Sequence, residues 1–330
     1  MNRCLSRRAA ELEAVRQRVT RVCIPTMISL PRALSKRITD VFGAQGEEWL
    51  KRLPEVISKI ERQWSIKVGP PFPDLSYSYV AEVVTEDGTE AVLKLAVPTN
   101  DLACEVEALR VFRGEGAVTL IRDEPDDGAL LLERAIPGSP LSSVPDDEGA
   151  TAIGAQVMRS LSRPVPDGHT FPSVGDWAAG LRHLRLRYDG GTGPLPAQLV
   201  QEAEGIFAEL IPSMTRLVLL HGDLHHDNIL AARRLPWMAI DPKGVVGEAE
   251  YDASSLLRNP LPRLLEATDP KRLLVRRLEI LSSELGFSKD RLRGWALAQS
   301  VLSAWWTIED HGEVWQEALD CAALFADLGR

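Results

Sequence analysis

No apolar run in this 330-residue sequence approaches the ~18 residues that a membrane-spanning helix needs. Cysteine is scarce as well. Cys4, Cys23, Cys104 and Cys321 form no CxxC pair, and no Cys/His spacing matches a zinc module. They read as reduced thiols of a cytoplasmic setting, and a chain this long buries enough surface to fold without disulfides or a structural metal. The N-terminus lacks the apolar stretch and small-residue cleavage site of a secretory signal. Basic charge is in deficit: 38 Lys and Arg face 47 Asp and Glu, a net of -9. That balance argues against a nucleic-acid partner, whose phosphates call for Lys and Arg, and no feature points to a membrane. Internal repeats and low-complexity tracts are missing too, while 45% hydrophobic and 26% charged residues are ordinary globular values.

Charge is unevenly placed. Residues 1–26 hold six arginines and two glutamates, Glu11 and Glu13, so the rest of the chain carries -13. Glu11 and Glu13 weaken a transit-peptide reading, and residues 1–26 are expected to be a flexible extension, with Met27 a natural start for the folded part. Residues 46–64 place Trp49, Leu50, Leu53, Val56, Ile57, Ile60 and Trp64 three and four apart, which predicts a helix. Gly69-Pro70-Pro71-Phe72-Pro73 predicts a loop. Runs rich in β-formers at 79–85 and 90–96 flank Glu86-Asp87-Gly88-Thr89, a hairpin signal. A helix over 101–113 and strands at 118–121 and 129–132 follow.

After Ile136-Pro137-Gly138-Ser139-Pro140 the pattern is mostly helical. Helices are expected over 146–161, from Asp269-Pro270 to Gly286, from Ser288 to about Gly312, and from about 314 to 328. Trp295, Trp305, Trp306 and Trp315 read as core. Residues 217–241 differ, with short strands at 217–220, 229–230 and 238–240 around a polar loop. The expected architecture is α+β, a small antiparallel-sheet lobe over 27–135 and a larger helical lobe over 136–330.

The loop carries the chemistry. His221-Gly222-Asp223-Leu224-His225-His226-Asp227-Asn228 is followed by Ile240-Asp241-Pro242. Phosphoryl transfer from ATP needs such a set: a carboxylate to orient and deprotonate the acceptor, and an amide oxygen with a second carboxylate to hold Mg²⁺. His221 and His225 stand four apart, a zinc spacing on a helix, but here they follow a strand. A zinc-dependent hydrolase is therefore a weak rival, and the histidines read as packing groups.

HGDLHHDN with IDP resembles the aminoglycoside phosphotransferases, relatives of the protein kinases. Leu219 to His225, Ala239 to Pro242, Val246-Gly247 and Tyr251-Asp252 are similar to the branch that includes streptomycin and hydroxyurea phosphotransferases. So are Pro70-Pro71-Phe72-Pro73, Ala91-Val92-Leu93-Lys94-Leu95 and Leu131-Leu132-Glu133-Arg134. The resemblance spans about residues 27–325 and implies a two-lobed protein-kinase-like fold. It implies Asp223 as catalytic base, Asn228 and Asp241 as magnesium ligands, and Lys94 on the phosphates with Glu105 as its partner (Glu107 is the rival). It further implies that Glu133 and Ala135 read adenine through backbone groups. His221 and Asp252 would support the catalytic loop.

The sequence departs from protein kinases twice. Residues 75–80 contain no glycine, so Ser76 and Ser78 stand where a glycine-rich loop would cover phosphate, and Asp241 is followed by Pro242 rather than Phe-Gly. The implied activity is ATP-dependent O-phosphorylation of a small molecule, an aminoglycoside of streptomycin type or hydroxyurea, giving drug resistance. Asp227, Glu248, Glu250, Glu309 and Asp310 are candidates to line a pocket for a cationic acceptor, and Lys243 is a further phosphate candidate. A kinase for another small alcohol or amine, and a silent kinase fold used for binding, are the alternatives.

Overall fold

The computed structural model describes residues 30–329. The expected extension over 1–26, with Cys4 and Cys23, lies outside the described residues. The chain divides into two compact units after Leu95.

In the first unit, α1 runs over Arg32–Trp64 and is interrupted at Gly43, whose φ of 51° and ψ of -131° are not helical. Beyond that break the predicted apolar face is present: Trp49, Leu53, Val56, Ile57, Ile60 and Trp64 are buried. Before it only Leu34 and Ile38 carry the pattern, so the periodicity was too sparse to announce this stretch. Strand β1, Ile66–Pro71, pairs antiparallel with β2, Ser78–Thr85.

This corrects the loop expected at Gly69-Pro70-Pro71. The prolines are tolerated because β1 is the edge of its sheet and its register shifts between Val68 and Pro71. In β2, Tyr79, Ala81 and Val83 point inward, alternating with outward Val80 and Glu82. The predicted hairpin turn is present. Gly88 adopts φ +83°, and the Asp87 carboxylate accepts from the Thr85 hydroxyl and the Thr89 N–H. Strand β3, Glu90–Ala96, follows and carries Lys94.

The second unit opens with α2, Asn100–Phe112, capped by the Thr99 hydroxyl on Leu102 N–H. Strands β4, Leu120–Glu124, and β5, Ala129–Glu133, form an antiparallel hairpin. Helix α3, Asp147–Leu161, and short β6, Arg163–Pro164, precede three helices that the sequence reading did not resolve: α4 (Val174–Ala178), α5 (Gly180–Arg187) and α6 (Ala197–Leu210).

Next come β7 (Val218–Leu220), β8 (Ile229–Ala231), β9 (Trp237–Ala239), β10 (Val245–Gly247) and α7 (Ala249–Arg258). The chain closes with α8 (Pro270–Leu285), α9 (Lys289–His311) and α10 (Gln316–Asp327). The caps anticipated at Asp269, Gly286, Ser288 and Gly312 are in place. Cys104 and Cys321 are free thiols.

Helix α9 is the spine of this unit. It packs against α5, α6, α7, α8 and α10 and is buried almost all round, as a helix enclosed by others must be. Trp295 and Trp305 are core residues, as expected. Trp306 and Trp315 are not: each keeps part of its surface in water. Among the described residues no helix is long and apolar enough to cross a membrane.

Leu302 on α9 is fully buried and meets Gly180. Leu302→Ala removes that packing and leaves a cavity, a change that costs about 2–5 kcal/mol. Thermal unfolding followed by circular dichroism should show a clear fall in midpoint, and an unchanged midpoint would contradict the central place given to α9.

Candidate active site

Strand β7 is the middle strand of the order β10-β7-β6, and all three of its residues are buried. Its end therefore delivers His221 to a fixed place. His221 has no exposed surface. Its N–H and that of Gly222 donate to the two carboxylate oxygens of Asp252, at 2.9 and 2.7 Å. Its ring Nε2 lies 2.8 Å from the Ile240 carbonyl, so it donates there. Nδ1 is then the acceptor for the Asp223 N–H at 3.2 Å. The imidazole is thus neutral, and burial pushes its pKa down to about 4.

Gly222 is required twice. Its φ is +84°, and a Cβ there would stand 2.7 Å from the Trp177 ring and 3.1 Å from the Lys243 Cβ.

From Asp223 the loop passes through a short 3-10 turn, His226–Asn228. The Asn228 side-chain N–H₂ donates to the Asp223 carbonyl at 2.9 Å, which leaves its carboxamide oxygen as the group available to a cation. Strands β8 and β9 then return the chain, with Ile229 opposite Ala239. Three hydrogen bonds join the two passes: Ile240 N–H to Asn228 C=O at 2.9 Å, His221 Nε2–H to Ile240 C=O, and Lys243 N–H to His221 C=O at 2.7 Å. The segment that bears Asp223 and Asn228 is held in this way beside the one that bears Asp241. Asp241 adopts φ +58° directly before Pro242, a sparsely populated conformation for a non-glycine residue, held by the pairing on either side. Two carboxylates and an amide oxygen are hard donors of the kind magnesium prefers.

The other residues singled out in the sequence fall as follows. Lys94 in the first unit and Glu105 on α2 in the second are both buried, whereas Glu107 is exposed and paired with Arg110. Ser76 is exposed, and Ser78 is half-buried at the start of β2. The Glu133 carboxylate is held by Arg234 at 2.7 and 2.8 Å and by the Thr119 N–H and hydroxyl at 3.0 and 2.9 Å. Burial alone would raise its pKa, but these donors bring it below the ordinary value. Its own N–H donates to the Thr119 carbonyl. Ala135 is half-buried two residues on.

Of the acidic candidates, Asp227 is exposed and accepts from the Ser142 hydroxyl. Glu248 is buried and spent on Arg291, at 2.8 and 2.7 Å, and on the Trp295 N–H. Glu250 is half-buried, and burial raises its carboxyl. Glu309 and Asp310 are exposed at the end of α9.

The sequence reading passed over Arg258, buried at the end of α7. It donates to Gln299 at 2.7 Å and lies 5.6 Å from the Trp315 ring. Nothing in its local sequence distinguishes it from a surface arginine. Trp177, against the catalytic loop, was likewise missed because α4 is too short to show a period.

Solved structures share this fold. A choline kinase from Streptococcus pneumoniae aligns with a TM-score of 0.60 at 13% identity, covering 84% of this chain and 98% of that one. An aminoglycoside phosphotransferase in ternary complex with ADP and hygromycin B aligns at 0.59 and 12% identity, covering 82% and 96%.

The α+β fold is therefore protein-kinase-like, and its match to a family of resistance kinases makes the protein a small-molecule phosphotransferase with an alcohol group as acceptor. Residues 63–311 match the aminoglycoside/hydroxyurea antibiotic resistance kinase family, and the chain belongs to it. It is 31% identical over 300 residues to streptomycin 6-kinase of Streptomyces glaucescens, covering 90% of this chain and 95% of that protein. It is 30% identical over 311 residues to hydroxyurea phosphotransferase of Kitasatospora aureofaciens, covering 93% and 88%.

Burial of ionisable groups around the loop sets a pH dependence. His221 titrates near 6.5 when unfolded and near 4 when folded. His226, buried with neither ring nitrogen hydrogen-bonded, is pushed by burial to about 3. Their contribution to stability is present above pH 6.5 and is lost as pH falls toward these values. Asp252 acts in the opposite sense. Burial raises it from 3.8 to about 6 against its two N–H donors, so its contribution is present below 3.8 and lost as pH rises through 6. Between pH 6 and 4 the two histidines outweigh the single opposing carboxylate, so the groups of this loop make the folded state less stable as pH falls. Denaturant unfolding at pH 6 and pH 4 checks this. His226→Leu should lose clearly less stability over that interval than the parent, and an equal loss would remove His226 from the account.

Proposed function

We propose that this kinase transfers the γ-phosphoryl group of ATP to a hydroxyl of an aminoglycoside of streptomycin type or of hydroxyurea, in the cytoplasm, with drug resistance as the outcome. The observation that carries the reading is the hydrogen-bonded pairing of 221–228 with 240–243, the two segments that bear Asp223, Asn228 and Asp241. In this proposal residues 27–135 serve the nucleotide and residues 136–330 the acceptor.

Asp223 accepts the acceptor's hydroxyl hydrogen, aligns the oxygen on the γ-phosphorus, and takes the proton as the new P–O bond forms and ADP departs. His221 and Asp252 hold the backbone from which Asp223 projects. Asn228 and Asp241 would hold magnesium, whose charge neutralises the phosphate oxygens when bound. Lys94 supplies a second cation for the phosphates. Ser76 and Ser78 offer hydroxyl and backbone donors to them, and backbone groups at Glu133 and Ala135 read the base. Catalysis on this account is positioning and charge neutralisation. Asp227, Glu250, Glu309 and Asp310 remain available to a cationic acceptor, whereas Glu248 is occupied by Arg291.

ATP consumption with Mg²⁺ against a panel of streptomycin, other aminoglycosides, hydroxyurea and simple alcohol or amine metabolites tests this. Acceptor-dependent turnover is expected, and Asp223→Ala should lower it about 10²–10⁴-fold, the usual worth of a general base, while ATP binding survives. Unchanged turnover in the variant would remove Asp223 from the mechanism. Turnover only with a metabolite would replace the substrate assignment. ATP binding without turnover on any acceptor would favour a silent fold.

A further inference from the structure

A pair of tryptophans stands beside the catalytic loop, and nothing above gives it a task. Trp177 lies on α4, a helix of only five residues that is nonetheless firmly placed. The Ser173 hydroxyl accepts from Asp176 N–H at 3.1 Å, and the Asp176 carboxylate accepts from Ser173 N–H at 2.7 Å, so the first turn is closed on both sides. Val246 N–H donates to the Pro172 carbonyl at 2.8 Å and ties the same segment to β10. Trp177 is therefore held against the strand that pairs with β7, next to the loop that β7 launches. The missing side chain at Gly222 lets the indole approach the backbone of the residue preceding Asp223: a Cβ there would be 2.7 Å from its ring.

The second ring comes from α9. Trp306 meets Trp177 edge to face, with centroids 5.4 Å apart and planes at 87°. Behind them Tyr251 is fully buried, 6.2 Å from Trp177, and closes the base. Both tryptophans keep part of their surface in water, unlike Trp295 and Trp305. Glu309 and Asp310 follow Trp306 by three and four residues on α9 and share its side of the helix, exposed. Two partly open indole rings with carboxylates one turn away suit the C–H face of a saturated ring that carries amine or guanidine groups. A small linear acceptor has no such face.

We infer that Trp177 and Trp306 form the acceptor platform of this enzyme and select cyclic, cationic polyols over linear acceptors. The inference rests on the proposed phosphotransfer at Asp223, and the test separates the two. Steady-state kinetics with streptomycin and with hydroxyurea would compare the parent with Trp177→Leu, which keeps an apolar side chain but removes the aromatic face, and with Trp177→Phe and Trp306→Leu. Trp177→Leu should raise the streptomycin KM about tenfold, leave the ATP KM within about twofold, and leave the hydroxyurea KM unchanged. Trp177→Phe should recover most of the loss.

Binding is read independently by streptomycin-induced quenching of tryptophan fluorescence, which should shrink in Trp177→Phe, with Asp223→Ala as a turnover-deficient background. Quenching that depends on Trp177 without any turnover would uphold the platform and sink the catalytic reading. Turnover of streptomycin with an unchanged KM in Trp177→Leu would sink the platform alone. A purely structural role would lower kcat for both acceptors and the melting midpoint together, which also overturns the inference. Failure of streptomycin and every other cyclic amine in the panel to bind overturns it as well.

Discussion

The Asp252 carboxylate accepts hydrogen bonds from two consecutive backbone N–H groups, those of His221 and Gly222, and everything downstream inherits that contact. It joins α7 to the end of β7, so the loop leaves its strand in one direction. It also lets Gly222 sit at φ +84° without losing its amide to solvent. With both amides spent on Asp252, the Asp223 N–H turns to the His221 ring instead, and that ring in turn reaches across to Ile240. A single buried acid thus sets the direction of Asp223 and, through the histidine, the position of the segment that ends in Asp241.

Such an arrangement is costly to build. Burial works against the charge of Asp252 and of both His221 and His226, and the fold accommodates the histidines as neutral rings. Asp241 adds backbone strain, held at φ +58° before a proline. These penalties fall on residues placed within or directly behind the loop. The rest of the second unit bears them through ordinary means: the enclosed helix α9, capped helices and an ion pair between buried Arg277 and half-buried Asp147. Strain and desolvation are concentrated where charge has to be aimed, and close packing is left to the surrounding helices.

How far the amino-acid sequence could be read depended on the range of the interaction involved. The strand, loop and return over 217–241 were readable because their parts lie close together: Asp223 and Asn228 are joined by a hydrogen bond across five residues, and Asp241 arrives by a short hairpin. Helix ends at Asp269, Gly286, Ser288 and Gly312 were readable for the same reason, since a cap is a local event. Misreadings share the opposite property. Gly69-Pro70-Pro71 looked like a loop because local rules disfavour proline in strands, yet an edge position with a register shift accommodates it. Glu248 looked like a candidate substrate acid, and only Arg291, forty-three residues away, reveals it as a structural ion pair. Trp306 and Trp315 matched the helical spacing of core residues, but spacing does not say which side of an enclosed helix reaches water.

This division bears on how acceptor choice is encoded in the family. The loop and its return lie in one short stretch, residues 221–243, and relatives near 30% identity are a streptomycin 6-kinase and a hydroxyurea phosphotransferase, whose names give unlike acceptors. The surfaces around them come from α4, α7 and the far end of α9, which are separated by many residues and meet only when the unit is folded. A substitution at Trp177 or Trp306 leaves the loop hydrogen bonds intact, because those bonds are made by backbone groups, Asp252 and His221. On the proposed platform, acceptor selectivity would change by replacing one ring at a time, with no correlated change in the loop. The glycine at 222 is the one place where the two systems touch, since its absent side chain serves both the loop's turn and the approach of the indole.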